Sequence, residues 1–110
     1  MIKTLKELKD VLASVPGFAG KVAYHAFPAD KKVPLPVIVY DVVRSNNFGG
    51  DNRVYQPINQ IEVQLYTVGK EPATEAALEA ALNAADAFWE KTETYLPDER
   101  CYQIIYELSI

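Results

Sequence analysis

The sequence predicts an α+β domain in the order α-β-β-β-α-β-β, with two helices packed on one face of a mainly antiparallel sheet. Two observations identify the elements. Apolar residues recur at helical spacing near the N-terminus and again after Pro72. Five further segments are either β-branched runs or alternate polar with apolar residues, as strands do. A third observation sets the sheet type. A turn-rich connection joins the central strands, and no βαβ series is present to demand a parallel sheet. Placing both amphipathic helices on one face buries helix and sheet surfaces together.

The first helix is predicted over residues 3–14. Leu5, Leu8, Leu12 and Val15 are spaced by threes and fours and share one face. Pro16 and Gly17 stop it. A short strand is predicted over Val22 to Phe27. Lysines and prolines make Asp30 to Pro36 a loop. Val37 to Val43 is apolar at nearly every position, the pattern of a strand covered on both faces.

Ser45 to Asn52, SNNFGGDN, reads as a turn-rich connection, since Asn, Gly and Asp tolerate the left-handed backbone region. The next strand is Ile58 to Val68. Ile61, Val63 and Leu65 point one way, and Gln60, Glu62, Gln64 and Tyr66 the other. It should pair antiparallel with its predecessor. The second helix is predicted over Pro72 to Glu90. Proline suits its first position, and Leu78, Ala81, Leu82, Ala85, Phe88 and Trp89 form its apolar stripe. Thr92 to Leu96 and Cys101 to Ile110 complete the strands.

The chain of 110 residues has one domain's worth of core, so residues 1–110 are read as a single domain. At 12.3 kDa its folded surface should be roughly 6,100 Å² against about 17,800 Å² unfolded. A net charge of −4 is the wrong sign for a small free-standing nucleic-acid binder. One cysteine rules out an intramolecular disulfide and a Cys-rich zinc site, and fits a reducing compartment. The N-terminal residues lack the uninterrupted apolar core of a signal peptide. The expected compartment is therefore a cytoplasm, with no membrane association.

A search for reactive chemistry yields no catalytic, cofactor-binding or metal-binding set. A nucleophilic pair would have to combine the sole cysteine, Cys101, with the sole histidine, His25, and no activating third group is evident. Asp41, Asp51, Glu62 and His25 show no metal-ligand spacing. Gly69-Lys70-Glu71 lacks the rest of a phosphate-binding loop. Lys3, Lys6 and Lys9 read as a solvated helix face. The aromatic residues are more informative. Tyr66 falls on the polar face of its strand, and Phe48 sits among small polar turn residues. Either could anchor the fold or contact a partner.

The segment SNNFGGDNRVYQPINQIEVQLYT, Ser45 to Thr67, resembles small proteins of tailed bacteriophages and prophages known as tail completion, tail terminator or head–tail joining proteins. The similarity includes PLPVIVY at Pro34 to Tyr40, runs through Lys70-Glu71-Pro72 into an alanine- and glutamate-rich helix, and covers the ending KTETYLPDERCYQIIYELSI. The Gly49-Gly50 pair departs from the family pattern, where alanines are common, and suggests a looser loop.

The resemblance implies a structural, non-enzymatic role without cofactor. Copies of the chain would form a ring, commonly hexameric, on the head-proximal end of the tail tube. The ring would end tube growth and present a surface to the head connector or neck protein. DNA would pass through it without sequence-specific binding. The implied location is the virion tail or neck, after assembly in the host cytoplasm. Asn47, Phe48, Asp51, Arg53, Tyr55, Glu62, Gln64 and Tyr66 are the residues expected at assembly contacts. Two other roles remain open: a head-completion adaptor on the portal side, and a small ligand-binding or enzymatic α+β protein.

Overall fold

The computed structural model describes residues 2–110, and of Tyr55 the backbone alone. Helix α1 spans Leu5–Ala13. Thr4 caps it, its hydroxyl accepting the Glu7 amide at 3.1 Å. Strand β1 (Val22–Tyr24) is followed by β2 (Val37–Ser45), β3 (Phe48–Gly50), β4 (Arg53–Gln56) and β5 (Asn59–Thr67). Helix α2 (Pro72–Ala84) precedes β6 (Glu90–Leu96) and β7 (Cys101–Ser109). The α+β class is as the sequence predicts. The strand inventory is larger, because β3 forms inside the connection expected over Ser45 to Asn52 and β4 forms between it and the strand expected from Ile58.

Five strands form one sheet in the order β1-β2-β5-β7-β6. β2, β5, β7 and β6 pair antiparallel, whereas β1 is parallel to β2. The parallel contact is made by residues 25–36, a crossover long enough to return the chain to the same end of the sheet. It shortens the strand expected over Val22 to Phe27. Tyr24 is its last paired residue, and His25 turns out of it with φ 67°.

Ile38 and Tyr40 of β2, Ile61, Val63 and Leu65 of β5, and Ile104, Tyr106 and Leu108 of β7 belong to one buried cluster. Leu8 and Leu12 of α1 and Leu78 and Leu82 of α2 join it, each fully buried. Burying a leucine side chain of this kind is worth about 1.5–3 kcal/mol. The double-sided burial expected for Val37 to Val43 holds for Val37, Ile38, Val39 and Tyr40 and fades beyond them. Ala26, Phe27 and Leu35 of the crossover line a shallow hollow with Val37 and Val39, which accounts for the covered half.

Helix α2 ends six residues before the expected Glu90. Asp86 adopts φ 57°, its amide bonds the Asn83 carbonyl at 3.0 Å, and the Ala87 amide bonds the Leu82 carbonyl at 3.0 Å. These two bonds make a Schellman stop with aspartate at the left-handed position. Beyond it the two aromatic residues part. Trp89 packs edge-on against Tyr106 at 5.5 Å, and its indole N–H donates to Asn83 Oδ1 at 2.9 Å. Phe88 is not part of a buried stripe: it is 80% exposed.

The molecule measures 48 × 28 × 25 Å with a radius of gyration of 14.8 Å, above the roughly 13 Å of a compact chain this long. Its accessible surface, 6996 Å², likewise exceeds the compact expectation. The small two-stranded sheet of β3 and β4, separate from the main sheet, fits this elongation.

Candidate functional site

β3 and β4 form a ribbon that continues the β2–β5 hairpin. Gly50 pairs with Arg53, so Asp51 and Asn52 make a two-residue turn. Both have positive φ, 50° and 62°, as a type I′ turn requires. The register slips between Phe48 and Gly49, where a Cβ on Gly49 would clash with the Arg53 carbonyl oxygen. Glycine at this position therefore admits a tight backbone approach.

At the ribbon's foot the Asn46 amide donates to the Ile58 carbonyl at 2.8 Å, and the Ile58 amide donates to Asn47 Oδ1 at 2.9 Å. The Asn47 side chain thus ties the two strands together. Phe48 and Val54 are 66% and 58% exposed, and Arg53 is exposed beside Val54. The turn's Asp51 is also exposed. The side chain of Tyr55 lies outside the described residues.

Glu62, Gln64 and Tyr66 lie on the sheet face opposite the buried cluster, all half-buried. They form a hydrogen-bonded chain. Gln64 Nε2 donates to Glu62 Oε1 at 3.2 Å, the Tyr66 hydroxyl to Gln64 Oε1 at 2.8 Å, and Gln103 Nε2 to the Tyr66 oxygen at 2.9 Å. Burial pushes the Tyr66 hydroxyl pKa up, against the hydrogen bond from Gln103. The residues expected at assembly contacts thus fall into two groups, one on the ribbon and one on this polar face.

Sequence reasoning missed a further feature of that face. Asp41 stands opposite Glu62, Glu62 opposite Glu107, and Glu107 opposite Glu90, which places four carboxylates in one row across β2, β5, β7 and β6. His25 Nδ1 lies 2.8 Å from Asp41 Oδ1 at the end of the row. Alternation of β2, β5 and β7 shows that their acids share a face. The row itself appears only once the register is known. Among the described residues, no three His, Cys, Asp or Glu side chains are grouped to hold a metal ion.

Asp41 supplies His25 with the third group not evident from sequence, and His25 and Cys101 both line the shallow hollow over Val37 and Val39, though among the described residues no hydrogen bond joins them. Burial, then the charge of Glu99, pushes the Cys101 thiol pKa up, opposite to the shift that activates a nucleophile.

A second charged cluster joins α2 to β6. Glu75, buried, lies 2.7 Å from Lys70 Nζ and 3.3 Å from Lys91 Nζ. Lys91 also reaches Glu79 at 2.6 Å, and the Tyr106 hydroxyl donates to Glu79 at 2.8 Å. Lys70 additionally pairs with Glu93. The cluster clamps the helix over the sheet edge.

No described helix is long and apolar enough to cross a membrane. No protein-family model matches the chain, and no curated protein sequence matches it.

Proposed function

We infer that this chain is a structural tail completion protein of a long-tailed phage or prophage, acting by occupying the head-proximal end of the tail tube. The observation that carries the reading is the projecting ribbon of β3 and β4, which holds Phe48 and Val54 in solvent. Large apolar side chains displayed on an ordered projection suit a contact made on assembly. The segment that bears the family resemblance, Ser45 to Thr67, includes this ribbon and the strand carrying Glu62, Gln64 and Tyr66.

In this reading copies join head to tail into a ring, commonly of six. Such a contact uses two different surfaces of each subunit. One rim docks on the last ring of the tube. The other lacks the surface that another tube subunit needs, and so ends growth and receives the head connector. A net acidic subunit lets DNA pass with little phosphate neutralisation.

Electron microscopy of particles made with and without the gene tests the reading. The expected result without it is tails of uncontrolled length that fail to join heads. Normal tails joined to heads would overturn it. Tails of normal length that fail to join would instead assign the chain to the portal-side adaptor.

A further inference from the structure

The ribbon's foot forms one wall of an open groove of about 860 Å³ at the end of the molecule. Pro57, Ile58, Ala87, Phe88, Leu108 and Ile110 supply its apolar lining. Phe88 is the most exposed large apolar side chain among the described residues, at 80%. The Schellman stop at Asp86 puts it there by ending α2 before Phe88 could enter the buried stripe. The charged residues in its lining are net negative: Asp86, Glu90 and Glu107 against Lys3.

We propose that this groove is the seat for the β3–β4 ribbon of a second copy of the chain, with Phe48 and Val54 covering Phe88 and Arg53 meeting the groove's carboxylates. This rests on the ring reading above and names the contact that would build it. One chain carries both halves of the match. Among its described side chains the ribbon bears two exposed apolar groups and one cation, whereas the groove is apolar-lined with excess negative charge. The ribbon rises from the groove's own wall, so its partner groove belongs to a neighbour. Ribbon and groove are different surfaces, which gives the head-to-tail contact a ring requires. The apolar contact supplies affinity, and the Arg53 contact supplies orientation and salt sensitivity.

Cysteine trapping tests the seat. Val54→Cys and Phe88→Cys are prepared as separate proteins, both at exposed positions, with the buried Cys101 left in place. Sedimentation velocity is run on the unmodified chain in parallel. The expected result is a self-associating unmodified chain, and a disulfide-linked heterodimer when the two variants are mixed under mild oxidation. Phe88→Ser should weaken self-association about tenfold or more while leaving the circular dichroism spectrum unchanged. An unmodified chain that associates while the mixture gives no heterodimer overturns the groove assignment alone. An unmodified chain that stays monomeric at high concentration overturns the ring reading and the seat with it.

Discussion

Glu62 of β5 stands directly opposite Glu107 of β7, and Glu107 in turn stands opposite Glu90 of β6. Like charges facing each other across strands oppose folding by about 0.2–1 kcal/mol per pair. Glu107→Gln removes both repulsions at an exposed position and keeps the side chain's size. It should raise the thermal midpoint at low ionic strength and neutral pH. High salt should shrink the gain, because these groups are open to screening. An unchanged or lower midpoint at low salt would show that the row does not strain the sheet.

The clamp between α2 and β6 should set part of the acid sensitivity. Burial pushes the Glu75 carboxyl up, but hydrogen bonds and charge from Lys70 and Lys91 outweigh it and hold the group below the ordinary carboxylate value. A folded-state value below the unfolded one adds stability at pH above the ordinary carboxylate value of 4.5. That contribution disappears as pH falls through the lower, folded value. Glu75→Gln should therefore cost about 1–2 kcal/mol near neutrality, less than a fully buried pair, because both lysines keep solvent contact. Urea midpoints measured down through the acid range should show the variant losing less stability than the parent. Parallel curves would remove Glu75 from the acid response.

Regular periodicity made the interior of the fold legible. Leu8 and Leu12, or Ile61, Val63 and Leu65, repeat at spacings that only one element type satisfies, and all are buried. Boundaries were harder, because they depend on backbone states that several residues can adopt. Asp86 ends α2 in a conformation usually given to glycine, so Phe88 and Trp89 looked like one stripe and instead separate. In sequence the ribbon resembles a connection, because Phe48-Gly49-Gly50 has few strand-forming side chains. Its pairing comes from the Asp51-Asn52 turn and the close approach at Gly49. The carboxylate row needed register, a long-range property that local pattern does not contain.

Asp86 offers a direct check on the helix stop. A non-glycine residue in the left-handed region costs roughly 1–2 kcal/mol, less for aspartate than for a branched residue. Asp86→Gly should hold or raise the thermal midpoint, by up to about 1 kcal/mol of stability. Asp86→Val should lower it by a similar or larger amount, since a β-branched side chain resists positive φ. Equal stability of the two variants would mean that the turn is not constrained as described.

Gly49 separates the ribbon's local order from the stability of the body. Gly49→Ala brings a Cβ against the Arg53 carbonyl, which the backbone must move to relieve. The β3–β4 pairing should loosen, with faster hydrogen exchange at the ribbon amides. The global midpoint should hardly change, because no described side chain of the ribbon belongs to the buried cluster. Unchanged exchange would show that the ribbon absorbs the methyl group without opening.

Phe48 and Arg53 bear on assembly with little bearing on folding. Both side chains are exposed, so replacing them with alanine removes no core contact. The double variant should unfold within about 0.5 kcal/mol of the parent, as surface changes usually do. If the ribbon makes the assembly contact, complementing a gene-deleted phage with this variant should yield few completed tails despite normal protein levels. The loss should exceed that of either single change, because an anchor and the charge that orients it act at one interface. Full complementation by the folded double variant would remove the ribbon from assembly and leave the polar face of Glu62, Gln64 and Tyr66 as the surface to test.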